Sequence, residues 1–594
     1  MARRILQIRS KLRRFSLKFA ERDLLLILSL IVGAACGFAS VLLDYLIKLI
    51  RLGATSFVEN GYTVAYFFLP GLGMLISLLL VRYIIRDDIG HGVTKVLVAV
   101  SKNESLIKPH NMWSSILTSS ITIGLGGSVG AEAPIVYTGA AIGSNMARWM
   151  GMSHRNVTIL LGCGAAGAIA GIFKAPLAGI LFTLEILLFN ISMTSILPLL
   201  LSTVSATVVS YLFTGVTPQF TIDITPFAMR NIPAYLVLGV FCAICSLYFN
   251  KMTLWLEDQA KKLRNPYVKW IICAFTLGLL IFIFPPLYGE GYGTIQYFLA
   301  GRMPEFDVPS PLGFMLGRKL LIPLFFLLII LAKVFSMTFT NAGGGVGGTF
   351  GPTLFVGGIA GFVVSRTINL IFIASPFSVP EANFVLVGMA GLMAGVMQAP
   401  MTAIFLIAEI SGGYELLIPL IITASISYGI SHSIDPYSIY TKRIAKKGEL
   451  LTHDSDQAVL TLLKVDDFVE KDFHPVFIDD TLGTFVKAVA DSCRNIFPVI
   501  DTKHRFQGYV VLDEIRKDMF KTELYDTVHV YNFMQSAPDY VFTTDSMQAV
   551  MNKFENTGSW NLPVVDADRK YLGFVSKSKI FTVYREKLKD VSHD

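Results

Sequence analysis

Two stretches of this 594-residue chain share an unusual order of residues: residues 126–143 read GGSVGAEAPIVYTGAAIG, and residues 343–361 read GGGVGGTFGPTLFVGGIAG. In each, a run of glycines is followed by a proline and an apolar run, which predicts a tight turn at the start of a helix. Such a turn lets backbone N–H groups converge at the positive end of a helix, where they suit a small anion. Glycines that only allow two helices to pack closely would give the same spacing, so both interpretations stand at this point.

A second pair of similar stretches indicates that the pattern belongs to an internal repeat. Residues 162–186 read GCGAAGAIAGIFKAPLAGILFTLEI, and residues 388–410 read GMAGLMAGVMQAPMTAIFLIAEI. The separation along the chain between Pro134 and Pro352 in the first pair is nearly the same as that between Pro176 and Pro400 in the second, so a whole half of the chain is duplicated. Membrane transporters commonly use such repeats with inverted topology and bind their substrate where broken helices of both halves meet.

The distribution of charge separates a membrane part from a soluble tail. Charged residues make up 16% of the chain, and nearly half of them fall in its last quarter, residues 441–594. Several apolar runs of residues 1–440 are interrupted by glycine or proline, or are too short to cross about 30 Å of hydrocarbon. Six cations within residues 1–14, before the first long apolar run, predict a cytoplasmic N-terminus. The net charge of +7 therefore reflects topology, and we expect no nucleic-acid partner.

The tail contains two α+β repeats. Residues 474–515 and 537–580 each predict an extended segment, a helix with apolar residues at i and i+3 or i+4, and two strands joined by a turn. The predicted divisions are a basic cytoplasmic segment at 1–22, a membrane domain at 23–440 with halves at about 23–215 and 230–440, a linker at 441–463, and small domains at 464–525 and 526–594.

The few acidic residues of the membrane part suggest where a gate would lie. GAEAP (130–134) places Glu132 at a helix start inside the first glycine turn. A carboxylate can occupy an anion site there and leave it when protonated, so Glu132 is a candidate gate and proton acceptor. A glutamate that only satisfies free N–H groups of the first turn is the alternative. Glu185 and Glu409 each lie nine residues after a related proline, and this symmetry favours a shared structural role.

These residues resemble the CLC family of chloride channels and chloride/proton antiporters over nearly the whole chain. The family motifs GSGIPE, GREGP and GGIFAP are matched in order by GHGVTK (90–95), GAEAP (130–134) and GGTFGP (347–352), and the tail resembles the family's CBS domain pair. The resemblance implies an all-α polytopic membrane protein with an inverted internal repeat of broken helices, followed by α+β tandem CBS domains. It also implies a homodimer in a lipid bilayer, either the plasma or an inner membrane, with both termini in the cytoplasm.

The resemblance assigns anion-binding positions by their place in these motifs. The backbone N–H groups of Thr349 and Phe350 would hold a central anion, and the Glu132 carboxylate would fill the external position when the gate is shut. The remaining anion-contacting positions would be His91, Gly92, Gly130, Ala131 and Ala133.

Two of the implied positions leave alternatives open. A tyrosine in DPYSIY (435–440) would complete the central position, with Tyr437 as the first choice and Tyr440 as the alternative. His91 replaces a serine of the family, and a neutral imidazole could donate one hydrogen bond where a protonated one would add a charge. A His91 that is turned away from the anion is the other interpretation.

The residue after Glu185 bears on the mechanism. Antiporters of the family usually carry a proton on a glutamate at this position. This chain has Ile186 there, and the channels of the family likewise have an apolar residue. We therefore expect a voltage- or pH-gated channel for small anions, chiefly chloride. The alternative is a chloride/proton antiporter with another internal proton path, for which Glu185 could supply a detour.

We expect neither a cofactor nor enzyme activity. CBS pairs of the family can bind adenine nucleotides, but the ribose-binding aspartate is replaced by Glu514 in the first repeat and by Lys579 in the second, and a lysine cannot accept the ribose hydroxyls. A structural or gating role for the pair is the expectation. No nucleophile–base pair, metal-ligand cluster or Walker motif occurs in the sequence.

Overall fold

The chain folds into two compact units, Met1–Leu450 and Leu451–Asp594. The computed structural model describes residues 20–59, 65–90, 92–102, 105–187, 193–216, 220, 224–302, 310–372, 378–445, 465–566 and 568–582. His91, most of the predicted basic segment (1–19) and most of the predicted linker (446–463) lie outside the described residues.

The first unit is helical throughout its described length. Its α-helices, in chain order, are α1 (Glu21–Glu59), α2 (Ala65–Leu79), α3 (Gly92–Lys102), α4 (Ser114–Gly124), α5 (Glu132–Met150), α6 (His154–Phe173), α7 (Pro176–Glu185), α8 (Met193–Thr214), α9 (Ile232–Lys261), α10 (Pro266–Ile283), α11 (Tyr292–Leu299), α12 (Ile322–Ala342), α13 (Phe350–Ile371), α14 (Glu381–Met397), α15 (Pro400–Ile410), α16 (Leu417–Ile434) and α17 (Ile439–Ala445).

Long and short apolar helices alternate in this unit, as the interrupted apolar runs predict. Nine helical stretches of the described residues are long and apolar enough to cross a membrane. Three further apolar helices, α7, α14 and α15, have 10 to 17 residues. At 1.5 Å per residue, a 10-residue helix such as α7 covers about half of the hydrocarbon thickness. The protein is therefore a multi-pass integral membrane protein with broken helices.

The helices of the repeated motifs begin with proline in their first turn. Pro134 and Pro352 are the third residues of α5 and α13, and Pro176 and Pro400 are the first residues of α7 and α15. The N–H groups of the first turn have no partner inside a helix, so proline costs no hydrogen bond there and its fixed φ favours the helix start. The four prolines therefore define four helix starts, two in each half.

The two halves repeat the same close helix crossing. A Cβ atom at Gly139 of α5 would lie 2.1 Å from the carbonyl oxygen of Gly164 in α6, and a Cβ atom at Gly357 of α13 would lie 2.5 Å from that of Gly388 in α14. These two glycine pairs occupy equivalent positions in the repeated stretches of sequence. Backbone contact at these crossings requires glycine, so this part of the glycine pattern does reflect helix packing.

The second unit contains the two predicted α+β repeats. Its elements are β1 (Val476–Phe477), α18 (Leu482–Ala490), β2 (Ile496–Ile500), β3 (Phe506–Val511), α19 (Leu512–Ile515), β4 (Val541–Phe542), α20 (Met547–Thr557), β5 (Asn561–Val565) and β6 (Tyr571–Ser576). The sheet orders are β1-β2-β3 and β4-β5-β6, each with one parallel and one antiparallel pair. A hydroxyl at each helix start, on Thr481 and Ser546, accepts a backbone N–H two or three residues into the helix and caps it.

The predicted boundary between 525 and 526 does not separate the two cores in space. Val465 and Phe468 pack in the core of the second repeat, with residues such as Val564. Val530 packs in the core of the first repeat, where its N–H also donates to the carbonyl of Asp480. Each repeat therefore receives its leading segment from a distant part of the chain, because the apolar side chains of these segments fit the other repeat's core.

Candidate anion site

The Glu132 carboxylate lies against the glycine turns of both halves. Its Oε2 atom accepts a hydrogen bond from the Gly351 N–H at 3.1 Å, and its Oε1 atom accepts one from the Tyr292 hydroxyl at 2.7 Å. The side chain is only 2% exposed. A Cβ atom at Gly130 would lie 2.1 Å from Oε2, so a glycine is needed for the carboxylate to fold back over the turn. Gly351 belongs to the first turn of α13, so the carboxylate occupies the positive end of a helix from the other half.

The motifs of the two halves contact each other through the backbone. Gly130 and Gly348 form an antiparallel bridge, in which the Gly130 N–H donates to the Gly348 carbonyl at 3.1 Å and the Gly348 N–H donates back at 2.7 Å. Gly92, the first residue of α3, lies so close to α5 that a Cβ atom would be 2.4 Å from the Ala133 carbonyl oxygen. The predicted positions Gly92, Gly130 and Ala133 therefore meet in one place.

The predicted central position contains two free backbone donors. Within the part of the chain that the structure describes, the N–H groups of Thr349 and Phe350 have no hydrogen-bond partner. Phe350 is fully buried, and its ring contacts those of Phe173 and Phe182. These ring contacts hold the first turn of α13 in place while its N–H groups stay available to an anion.

Tyr440, and not Tyr437, lies at this position, which corrects the first choice made from the sequence. Tyr440 is 2% exposed, and the Thr349 hydroxyl donates to its Oη atom at 3.4 Å, whereas Tyr437 is 44% exposed. Tyr440 falls in the first turn of α17, whose Arg443 pairs with Glu257 of α9 at 2.6 Å. Tyr437 precedes α17, so the ion pair between Arg443 and Glu257 does not hold Tyr437 in the protein interior.

Sequence reasoning missed two ionisable residues beside the gate. The Ala131 N–H, at the start of α5, donates to the Glu290 carboxylate at 3.3 Å. Lys333 of α12 is 0% exposed, and its ammonium donates to the Ser128 hydroxyl at 2.7 Å and to the Gly289 carbonyl at 3.0 Å. Both residues interact electrostatically with Glu132.

A signal for both residues was present in the sequence. Glu290 stands between two glycines in YGEGY (288–292), and Lys333 interrupts the long apolar run that forms α12. An ionisable residue at membrane depth is a functional candidate by default, and this rule alone would have selected them. Tyr292 carried no such signal, because a tyrosine is common in apolar sequence.

A cavity of about 930 Å³ reaches the gate from one side. Its wall includes Ala131, Glu132, Glu290 and Tyr292. Charged residues farther along the wall are Asp44, Lys48, Arg51 and Lys174. With Glu132 and Glu290, the wall carries three acids and three cations, and one of these cations, Lys48, pairs with Asp44 at 2.7 Å.

Glu185, at the end of α7, caps the start of α15, and Glu409, near the end of α15, caps the start of α7. The Glu185 carboxylate accepts hydrogen bonds from the N–H groups of Met401 and Thr402, at the start of α15, at 3.0 and 2.7 Å. The Glu409 carboxylate accepts hydrogen bonds from the N–H groups of Leu177 and the next residue, at the start of α7, at 3.1 and 2.8 Å. The symmetry seen in the sequence thus corresponds to a reciprocal structural contact between the halves.

Ile186 is buried, with 5% exposure, and its N–H donates to the Phe182 carbonyl at the end of α7. No carboxylate stands at this position, and the neighbouring Glu185 is engaged in its cap. An apolar side chain therefore occupies the position at which antiporters of the family usually have a proton-carrying glutamate.

Glu514 and Lys579 occupy equivalent places in the two repeats of the second unit, three residues after the ends of β3 and β6. The Glu514 carboxylate accepts a hydrogen bond from the Gln535 side chain. The Lys579 N–H donates to the Ser576 hydroxyl at 3.3 Å, and its side chain is exposed.

Comparison with known families identifies both units. A family described as voltage gated chloride channel matches residues 72–432, and the CBS domain family matches residues 530–586. The first match covers more than half of the chain and includes all the motif helices described above.

Two curated relatives have names that specify a function. The chain is 26% identical to the chloride channel protein CLC-e of Arabidopsis thaliana over 435 residues, which cover 68% of this chain and 59% of that protein. It is 24% identical to the H(+)/Cl(-) exchange transporter ClcA of Salmonella agona over 474 residues, which cover 76% of this chain and 94% of that protein. The chain thus spans about six tenths of the plant protein and nearly all of the bacterial one.

Solved structures share the fold. A slow cyanobacterial Cl−/H+ antiporter has a TM-score of 0.61 at 20% identity and covers 72% of this chain and 98% of its own. A eukaryotic CLC transporter has a TM-score of 0.60 at 17% identity and covers 94% of this chain and 98% of its own. A CLC-type fluoride/proton antiporter has a TM-score of 0.58 at 22% identity and covers 70% of this chain and 97% of its own. The extent of the family match, together with this shared fold, means that the chain belongs to the CLC family of anion transport proteins.

Proposed function

We propose that the protein exchanges chloride for protons across a membrane, and that Glu132 alternately blocks the anion path and binds the proton. The position of the Glu132 carboxylate carries this proposal. It accepts the N–H of Gly351, while the two preceding N–H groups in the sequence, those of Phe350 and Thr349, have no partner among the described residues. One carboxylate and one chloride ion would therefore share a single row of donors at the start of α13.

The ionised carboxylate competes with an anion for these donors. A negative charge at a helix N-terminus gains about 0.3–1 kcal/mol at an exposed site and up to about 2 kcal/mol in a partly buried geometry. A chloride ion gains a similar amount, so neither ligand excludes the other by a large margin. Protonation of Glu132 removes its charge, releases the Gly351 N–H and leaves the donors to chloride. The carboxyl group then carries the proton while the anion passes.

The relatives support exchange over the channel function that Ile186 favours. The names of the Salmonella relative and of the cyanobacterial structure state chloride/proton exchange. Because Ile186 cannot carry a proton, exchange requires an internal proton path that avoids this position. A path through Glu185 would have to break its hydrogen bonds to the start of α15. A passive chloride channel remains the second candidate, and the identity of Ile186 is the observation that favours it.

A flux experiment on the full chain in liposomes separates the two candidates. Under an imposed chloride gradient with no initial pH difference, we expect chloride movement to drive protons uphill, as recorded with a pH electrode. Glu132→Gln should abolish proton movement and leave a chloride flux that depends less on pH than that of the unsubstituted protein. Chloride flux without proton movement in the unsubstituted protein would instead support a channel. An unchanged pH response in Glu132→Gln would remove Glu132 from the gate.

The assembly and orientation are proposals of the same kind. We infer a homodimer with one anion path in each subunit, and both termini in the cytoplasm. The six cations within residues 1–14 support the orientation through the positive-inside rule. For the CBS pair we propose a structural or gating role without a bound nucleotide, since Lys579 offers no acceptor for a ribose.

A further inference from the structure

Glu290 occupies a backbone donor next to the one that Glu132 occupies. The Ala131 N–H immediately precedes the first residue of α5 and donates to Glu290 Oε1 at 3.3 Å. The Glu132 carboxylate meanwhile accepts the Gly351 N–H at the start of α13. Two carboxylates therefore hold the backbone donors of the two facing glycine turns, and an anion that reaches these turns meets both.

Lys333 balances one of these two negative charges. Its ammonium is fully buried, contacts the Gly289 carbonyl, and donates to the Glu290 carbonyl at 3.4 Å. The ammonium also lies 4.8 Å from the centre of the ring of Phe355, a residue of α13. One buried cation cannot by itself neutralise two carboxylates, so the charge balance depends on the other groups around the site.

The other charged and titratable groups around Glu290 come from three further elements. Those that interact with it, besides Lys333, are Glu132 of α5, Arg51 and Asp44 of α1, and Tyr292 of α11. Asp44 pairs with Lys48 at 2.7 Å, so Arg51 is a second cation near the two carboxylates. The local balance is therefore set by Glu132, Glu290, Lys333 and Arg51.

Glu290 lies on the wall of the 930 Å³ cavity, together with Ala131 and Glu132. An anion that arrives through the cavity meets the Glu290 carboxylate at the Ala131 N–H. Its place on the cavity wall also leaves the carboxylate accessible to a proton that arrives from the cavity.

We propose that Glu290 is a second carboxylate gate on the cavity side of Glu132, which competes with the transported anion for the N–H donor of Ala131. The inference rests on the proposed function, because it concerns the same anion path. Protonation of Glu290 from the cavity removes its charge, so the Ala131 donor and the field of Lys333 become available to chloride. The pH dependence of anion binding then contains a contribution from Glu290 that is separate from that of Glu132.

The test measures chloride affinity of the purified full chain by calorimetry in detergent, for the unsubstituted protein, Glu290→Gln, Glu132→Gln and Glu415→Gln. Glutamine keeps an oxygen that can accept the Ala131 N–H but carries no charge. We expect Glu290→Gln to lower the Kd for chloride about tenfold near pH 7.5, because it removes the negative charge that competes with the anion for the Ala131 N–H. The difference should shrink as the pH is lowered through the range in which the native carboxyl takes up a proton. Glu415 is exposed on a loop of the same unit, and its variant should match the unsubstituted protein.

Glu290→Ala separates a charge effect from a structural one. If Glu290 only caps α5, the alanine variant loses thermal stability, the glutamine variant regains it, and neither stable protein has an altered Kd for chloride. That result, or an unchanged Kd in Glu290→Gln beside a changed one in Glu132→Gln, would overturn the second gate and leave the proposed function standing. An unchanged Kd in both variants would overturn the proposed function and the second gate with it.

Discussion

The position of Glu132 depends on the absence of side chains around it. Gly130 leaves the space into which the carboxylate folds, and Gly351 offers the N–H that it accepts. The Tyr292 hydroxyl holds the other oxygen at 2.7 Å. The position of the Glu132 carboxylate therefore depends on two glycines and one tyrosine as well as on the glutamate itself.

The hydroxyl of Tyr440 is available to an anion at the central position. It accepts a hydrogen bond from Thr349, and the acceptor for its own proton is the Met397 sulfur at 3.9 Å, which is weak. We predict that Tyr440→Phe raises the Kd for chloride about tenfold, because a hydrogen bond to a charged group contributes about 1.5–3 kcal/mol. Calorimetric titration of the full chain with chloride checks this expectation.

Tyr437→Phe is the matched control, since Tyr437 is the exposed tyrosine of the same segment and its variant should bind chloride like the unsubstituted protein. A loss of affinity in Tyr437→Phe, with Tyr440→Phe unchanged, would restore the assignment made from the sequence.

At the scale of elements, the two halves contact each other through the ends of their helices. The starts of α5 and α13 face each other across the Gly130–Gly348 bridge. The starts of α7 and α15 are capped by Glu409 and Glu185, each from the end of the opposite helix. Both contacts pair equivalent parts of the two halves, which is the arrangement that an inverted repeat produces.

The reciprocal caps should stabilise the membrane unit. We predict that Glu185→Ala lowers the unfolding free energy by about 0.5–2 kcal/mol, because it leaves the N–H groups of Met401 and Thr402 without their acceptor. Thermal unfolding in detergent measures the effect, with Glu415→Ala as the control for an exposed glutamate of the same unit. A midpoint equal to that of the control would mean that water replaces the cap without loss.

Glu185→Gln addresses transport with most of the cap retained. Its amide oxygen still accepts one N–H, so we expect chloride/proton exchange in liposomes to continue. Loss of proton movement with continued chloride flux would identify Glu185 as part of the internal proton path, because the substitution removes the acid while leaving the helix contact.

At the scale of the whole molecule, the chain joins a membrane unit to a second unit with two cores, each of which is completed by a distant segment of the chain. The segment at residues 465–473 is tied to the second repeat by the Glu470–Phe574 bridge. Arg494 of the first repeat then pairs with Glu470 and Asp472, each at 2.6 Å. The two repeats are therefore expected to unfold together rather than one at a time.

This ion-pair cluster predicts a pH dependence for the second unit. The Arg494 guanidinium donates to Asp472 and lowers the pKa of that carboxyl below its ordinary value. A carboxyl with a lowered pKa in the folded state stabilises the fold above its unfolded-state pKa, near 4, and loses that contribution as the pH falls through its folded-state pKa. Arg494→Gln should therefore reduce protection from hydrogen exchange in β2, β3, β5 and β6 more near pH 6 than near pH 3.

Each exchange measurement compares the variant with the unsubstituted full chain at the same pH, so the intrinsic pH dependence of exchange cancels. Lys503→Gln removes an exposed cation of the same unit and should change protection at neither pH. An equal loss of protection by Arg494→Gln at both pH values would point to lost packing of Arg494 on the Phe473 ring instead of the ion pair.

The sequence by itself determined the membrane part, the repeated halves, the α+β tail and the candidate for the gate, because each depends on local composition or on spacing along the chain. Charge density identified the membrane part, proline and glycine fixed the helix starts, and Glu132, the proposed gate, lies inside one of the repeated glycine motifs. Only the tertiary structure decided which tyrosine lies at the central position, which segment completes each tail core, and which charges surround the gate. Glu290 and Lys333 lie far from Glu132 in the sequence, and helix packing alone brings them together. The role of a buried charge can be inferred only when its neighbours are known, since the free energy of that charge depends on the charges and donors around it.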